Sequence, residues 1–244
     1  MCWPRKSRWP SARLSTIDDL DFAYEPEEFD ENELVAAKYE GACVLEPVPG
    51  LYYNVLQYDF DSLYPSVLMA YNICYSTYLS TEPPPNMVPQ MYHTVKWTSK
   101  GGDENIHHFL KEPEGIVPKL LRDLLGVRKA VKKILKSTEL YTVQYNVLDK
   151  RQQALKVCAN SIYGVLGVQK HGMLPLNEGA SSCTALGRMS LGIAVAKFEE
   201  LGATVVYGDT DSCYVTFNGI AADNFPALWA PATATEKALE ACFP

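Results

Sequence analysis

Apolar and polar positions alternate through Gly41–Pro47 and again through Leu51–Phe60, both rich in Tyr and Val, with Pro49-Gly50 between them. Such a period of two, broken by a turn dipeptide, predicts two strands. Pro65 suits the first position of a helix, and a helix is expected to begin there. Residues 80–115 contain Pro83-Pro84-Pro85, Gly101-Gly102 and many polar side chains, among them the adjacent His107 and His108. They predict a long loop or small insertion. The period then turns helical. Leu120, Leu124, Val127, Val131 and Ile134 recur at steps of three and four, with Arg128, Lys132 and Lys136 on a different side. A second helical pattern runs over about 142–163 and buries Leu155, Ala159 and Ile162. The polar Ser137-Thr138 turn between the two predicts an antiparallel pair. After Gly164 and Gly167 come a third helix, roughly Ser181–Leu201, and two strands, Ala203–Tyr207 and Cys213–Phe217.

Composition adds a sizeable core, since 47% of the 244 residues are apolar. No apolar stretch reaches the roughly 20 residues of a bilayer span, and the basic start (Arg5, Lys6, Arg8) is not followed by the apolar run of a secretory signal. No membrane partner is expected. The seven cysteines are widely spaced without a CxxC pair, which argues for reduced thiols rather than disulfides or a zinc knuckle. His107 and His108 have no second ligand at metal spacing. Net charge is −7, the wrong sign for binding phosphate, yet nine acids and no base fall between Asp18 and Glu33. Segment 111–170 holds twelve Lys or Arg against five Asp or Glu. The acidic leader, 1–37, reads as irregular, and the average hides a basic module.

Three segments carry candidate chemistry. Asp59-Phe60-Asp61-Ser62-Leu63-Tyr64-Pro65-Ser66 ends a strand with an acid and passes at once into a helix start. A carboxylate would there stand beside outward-pointing N–H groups that cradle an anion, although a capping Asp would look the same. Tyr207-Gly208-Asp209-Thr210-Asp211-Ser212 reads as a hairpin with two acids at its tip. Turn preference alone explains Asp and Gly there, but two close like charges call for a cation. Lys156, Asn160 and Tyr163 lie at i, i+4 and i+7, so one helical face offers a cation, an amide and an aromatic. A solvated amphipathic face would show the same spacing.

In their order and spacing these segments resemble the family B DNA polymerases. Asp59–Ser66 matches DxxSLYPS, Lys156–Gly164 matches KxxxNSxYG, and Tyr207–Ser212 matches YGDTDS. Weaker echoes are Glu40-Gly41-Ala42 and Thr184-Ala185-Leu186-Gly187-Arg188. The resemblance covers about 38–225 and implies a role for each matched position. Asp59 and Asp211 would ligate two Mg2+ ions, with Mn2+ as an alternative, helped by the Phe60 carbonyl, and Asp209 would support them. Ser62, Leu63 and Tyr64 would offer backbone amides to a dNTP triphosphate, and Tyr64 would exclude a 2′-hydroxyl. Arg128, Lys132, Lys156 and Asn160 would face the triphosphate, with Lys156 as the acid for pyrophosphate. Tyr163 and Gly164 would floor the nascent base pair.

The same resemblance implies an α+β fold. An antiparallel-sheet palm backed by helices (38–110 and 166–244) would be interrupted by a helical-hairpin fingers subdomain (111–165). The chain is expected to be a fragment, without exonuclease motifs upstream and truncated before the thumb. The Gln169–Pro175 segment looks more like polymerases of large DNA viruses. Implied partners are primer-template DNA, dNTPs and a sliding clamp or accessory subunits, in an intracellular setting such as a nucleus or viral replication site. Two other readings compete. A two-metal nuclease leaves the paired basic helices, Tyr64 and Tyr163 unexplained, and an inactive nucleic-acid-binding fragment should bind no dNTP.

Overall fold

Among the described residues six strands and five α-helices follow in the order β1 (Leu56–Asp59), α1 (Leu63–Ala70), β2 (Tyr78–Ser80), β3 (Tyr92–Thr98), β4 (Glu104–Leu110), α2 (Ile116–Lys136), α3 (Val143–Leu166), α4 (Asn177–Glu200), β5 (Ala203–Asp209), β6 (Ser212–Phe217) and α5 (Trp229–Glu240). The computed structural model describes residues 39–82, 85–168, 174–221 and 224–243. The leader expected over 1–37 and the 169–173 part of the virus-like segment lie outside the described residues.

Two antiparallel sheets form, one in the order β1-β6-β5 and the other β2-β4-β3. Helix α4 serves both. Its stretch Gly179–Gly187 is buried without a break, which small residues (Gly, Ala, Ser, Cys, Thr) permit because neighbours can approach from every side. On one flank Leu63, Val67, Leu68, Phe109, Leu121, Leu166 and Cys183 share a core. On the other, Leu191, Ala194 and Phe198 of α4 pack against Cys213, Val215 and Phe217 of the first sheet.

The helical expectations hold well. Thr142 caps α3 by accepting from the Tyr145 N–H, and the α2–α3 pair is antiparallel across the Ser137 turn. Ala159 is buried and Leu155 and Ile162 partly so, as the period required. On α2, however, the buried line is Val117, Leu121 and Val131, while Leu120, Val127 and Ile134 stay exposed. The apolar surface of that helix is wider than the face its neighbours cover. Arg128 consequently lies on the packed seam, with a side chain only 12% exposed, rather than on an outer side.

Three other expectations need correction. Gly41–Pro47 forms no regular strand. It runs beside β5, with a Val44–Asp209 bridge, Leu45 N–H donating to Gly208 (2.8 Å) and Val48 N–H to Val206 (2.9 Å). Pro47 and Pro49 lack the donors a regular ladder needs. The expected loop over 80–115 contains the β3–β4 hairpin, turned by Ser99–Asp103 with Gly102 at φ 89°. His107 and His108 are therefore strand residues on opposite faces. His107 Nδ1 meets the Ser182 hydroxyl at 3.0 Å, and His108 Nδ1 meets Thr94 at 3.1 Å. Finally, α1 starts two residues before Pro65, and the unpredicted α5 closes the back of the first sheet.

Candidate active site

The β5–β6 hairpin would place Asp209 in the core if its pleat were regular. The pairing runs Ala203↔Phe217 and Val205↔Val215, then slips to Tyr207↔Tyr214 and Asp209↔Ser212. Val206 is the extra residue of a bulge, and beyond it every side chain changes face. Asp209 thereby shares a face with Ser212 and, through the Asp59↔Ser212 pair, with Asp59. Gly208 takes the inward place, where a Cβ would lie 2.7 Å from Leu45 Cδ1.

Asp211 occupies the two-residue turn after Thr210, which adopts φ 53°. Its carbonyl accepts from the Phe60 N–H at 2.8 Å, tying the turn to the strand end that carries Asp59. Burial raises the Asp211 pKa, and the negative charges of Asp59 and then Asp209 push it further, while Lys156 opposes them. Asp59, Asp209 and Lys156 thus all lie close enough to Asp211 for their charges to act on it. Excess negative charge on hard oxygen donors suits Mg2+, which takes one or two carboxylates and fills its shell with phosphate and water. Among the described residues no three His, Cys, Asp or Glu side chains converge as a ready-made cage. A two-carboxylate site completed by substrate fits that geometry.

From Asp59 the chain turns through Asp61 and Ser62 into α1. Ser62 holds the left-handed region at φ 56° and ψ 53°, and no side chain caps the helix. Backbone strain of this kind costs on the order of 1–3 kcal/mol and clusters at functional sites. A groove of about 710 Å³ opens here, lined by Asp61, Ser62 and Ser66 on one wall and Arg128, Lys129, Lys132, Lys133 and Lys136 on the other. Five cations against one acid, beside an uncapped helix N-terminus, make an anion-binding concavity. Arg128 Nη1 lies 3.9 Å from Asp61, and its buried Nε has no hydrogen-bond partner among the described residues.

Tyr64 is the hinge between the two halves of the site. Its ring packs on Tyr163 of α3, centroids 4.4 Å apart and planes tilted by 31°. Burial pushes its phenol up to about 12, with Cys183 and Asp211 adding to the rise and Arg188 opposing it. Burial likewise raises the Tyr163 phenol, assisted by Tyr39. Gly187 leaves room for Tyr64, since a Cβ there would stand 3.1 Å from its ring. Asn160 and Gly164 are exposed on α3, with open space above Gly164.

Eight of the sequence candidates fall into two sets, Tyr163 stacks on Tyr64, and Asn160 and Gly164 stand exposed. Asp59, Phe60, Asp209, Asp211 and Lys156 form the acidic end, and Ser62, Arg128 and Lys132 the basic groove. Leu63 anchors α1 in the core and Tyr64 links the two sets. Sequence reading missed Asp61, Ser66, Lys129 and Lys133 in the groove, because helical period does not say which charged residues face a neighbour. The two weaker echoes meet in space. Arg188 donates to the Glu40 and Gly41 carbonyls at 3.0 and 2.7 Å, and Thr184 donates to Glu40 at 2.8 Å.

With that geometry in hand, the model of DNA polymerase family B matches residues 14–231. The chain belongs to DNA polymerase family B. The DNA polymerase delta catalytic subunit of Dictyostelium discoideum is 41% identical over 192 residues, covering 74% of this chain and 16% of the relative. A DNA polymerase of Red sea bream iridovirus is 31% identical over 274 residues, covering 88% of this chain and 28% of the relative. Among solved structures, the family B DNA polymerase of Pyrobaculum calidifontis superposes with a TM-score of 0.60 at 36% identity, over 87% of this chain and 25% of that one. The family B relatives thus include cellular, viral and archaeal polymerases, and this chain spans under a third of each of these three. The α+β fold with antiparallel sheets agrees with the archaeal family B structure.

Proposed function

We propose that this chain carries the nucleotidyl-transfer site of a DNA-directed DNA polymerase, adding dNMP to a primer 3′-hydroxyl on a DNA template. The observation that carries the reading is the junction of β1 and α1. The strand end that carries Asp59 and is tied to Asp211 through the Phe60 N–H runs straight on into Asp61 and Ser62, which line a groove walled by Arg128 and Lys132. Asp59 and Asp211, with the Phe60 carbonyl, would hold two divalent cations, Mg2+ or Mn2+, with Asp209 lending negative charge. Cations bound there would lower the pKa of the 3′-hydroxyl and neutralise the leaving pyrophosphate.

The chain's own residues supply the remainder. N–H groups of Ser62, Leu63 and Tyr64 at the uncapped end of α1 would bind phosphate oxygens, and Arg128, Lys132 and Asn160 would complete the cradle. Lys156, near Asp211, would deliver a proton to pyrophosphate. The Tyr64 ring, braced by Tyr163, would exclude a 2′-hydroxyl, while Tyr163 and Gly164 support the new base pair. In this reading 38–110 and 166–244 are palm, 111–165 are fingers, and primer-template DNA, dNTPs and clamp or accessory subunits are the partners. An intracellular replication site is the setting that goes with it, and no helix among the described residues is long and apolar enough to cross a membrane.

Primer extension with Mg2+ tests the reading in the protein that carries this chain. Incorporation of dNMP should all but vanish in Asp211→Asn while primer-template binding persists. DNA shortening in the absence of dNTPs would instead make the carboxylates those of a nuclease.

A further inference from the structure

Helix α2 carries Arg128 and Lys132, yet nothing local caps its start: Gly115, its N-cap, has no side chain. The caps come from 43 residues upstream. Asn72 Oδ1 accepts the Gly115 N–H at 2.8 Å, and Cys74 Sγ accepts the Val117 N–H at 3.4 Å. Asn72 Nδ2 meanwhile donates to the carbonyls of Leu110 (2.8 Å), Lys111 (3.3 Å) and Pro113 (3.0 Å). One buried amide therefore grips both sides of the link from β4 to α2. Asn72 follows the C-cap of α1, sits at φ 51°, is 5% exposed, and has its carbonyl held by the Thr77 hydroxyl. Asn is among the few residues that tolerate this backbone while offering both a donor and an acceptor.

We propose that Asn72, seconded by Cys74, is a positioning residue that bolts the root of α2 to α1 and so sets Arg128 and Lys132 against the phosphate groove. The proposal rests on the nucleotidyl-transfer reading above. Its weight comes from leverage. Arg128 is ~20 Å and Lys132 ~26 Å along the helix from Gly115 at ~1.5 Å per residue, so a tilt of ~10° at the root would move them by roughly 3–5 Å. A misplacement of ~1 Å can cost ~100-fold in rate. Because the same bolt is attached to α1, both walls of the groove share one reference, and a loose root would spoil their spacing without touching any phosphate ligand.

The test compares the wild-type chain with Asn72→Gly, which keeps the left-handed backbone without strain and removes only the amide. Amide hydrogen exchange at Gly115 and Val117 reads the bolt, and Mg2+-dependent dNTP affinity and primer-template affinity read its consequence. Exchange should quicken at both amides, dNTP affinity should fall ~10-fold or more, and primer-template affinity should hold. General destabilisation would weaken both ligands together and would overturn the positioning role. Unchanged exchange would overturn the bolt itself. Faster exchange with unchanged dNTP affinity would overturn the positioning role while leaving the functional reading intact. A wild-type chain that binds no dNTP would sink the functional reading and the positioning role with it, and faster exchange would then mark a purely structural contact. If Asn72→Gly does not fold, Cys74→Ala, which keeps the Asn72 amide and loses the bonds that Cys74 Sγ accepts from Val117 and the Ser76 hydroxyl, should shift the same two quantities in the same direction and less. No shift in dNTP affinity alongside faster Val117 exchange would refute the proposal there too.

Discussion

Tyr64 concentrates the consequences of single residues, because its ring leans on Tyr163 and its phenol feels Asp211. Replacing it by Ala should leave dNTP incorporation measurable while discrimination against ribonucleotides drops ~10–100-fold, the range open to a steric pocket. Unchanged selectivity in single-nucleotide insertion would remove Tyr64 from that role. His107 offers a test of a different kind. Burial lowers its pKa, with Glu178 opposing and His108 adding slightly. Its neutral form is therefore favoured by folding. The sign follows directly: the unfolded chain binds the proton more readily, so this stabilisation is complete above the unfolded value of about 6.5 and is lost as pH falls through the lowered one. Denaturant midpoints at pH 7.5 and 5.5 should differ more in the wild type than in His107→Gln. Equal differences would show that the burial of His107 carries no such linkage.

Among elements, the decisive one is the β5–β6 hairpin. Deleting Val206 removes the bulge but keeps the pairs on either side of it, Val205↔Val215 and Asp209↔Ser212, so Asp209 stays on the face of Asp59. Val206→Ala also keeps the phase and loses only part of a buried side chain, at a cost of about 1–2 kcal/mol. Both variants should thus retain Mg2+-dependent dNTP binding. Loss of binding in the deletion alone would show that the bend made by the bulge, beyond its phase, positions the carboxylates. The hairpin also marks what the sequence could say. Strand, turn and both acids of Tyr207–Ser212 were legible, since Gly, Asp and alternating β-formers leave a local signal. The bulge was not, because a one-residue slip depends on the register of a partner strand. The β3–β4 hairpin was hidden for a related reason. Prolines and glycines announced a loop, and the short alternating run Tyr92–Thr98 is too polar on one face to stand out. On α2 the helical period is legible but its buried line is not, since Leu120, Val127 and Ile134 stay exposed, and Arg128 shows that a charged residue can lie on the packed seam when a groove is built over it.

At the scale of the whole molecule, α4 holds the sheet that carries the carboxylates on one flank and α1 with its neighbours on the other. The buried run of small residues makes that possible, and a larger side chain inside it should be felt at the site. Ala180→Leu, at a position with no exposure, is expected to destabilise by about 1–3 kcal/mol through overpacking, seen as a lowered denaturant midpoint. An unchanged midpoint would mean the helix is less tightly enclosed than its burial indicates. The long-range order of the motifs was visible in the sequence because each motif is contiguous. Their convergence was not, since Glu40 and Arg188 meet across 147 intervening positions only when the fold closes. In the proposed function the acidic strand end and the basic groove together form one nucleotide site. Titration of dNTP in Mg2+ tests it most directly, using the wild-type chain, Asp59→Asn and an rNTP competitor. Binding should require the metal, favour dNTP over rNTP and weaken by about tenfold or more in Asp59→Asn. Binding that ignores the metal, or is equally strong in Asp59→Asn, would contradict it.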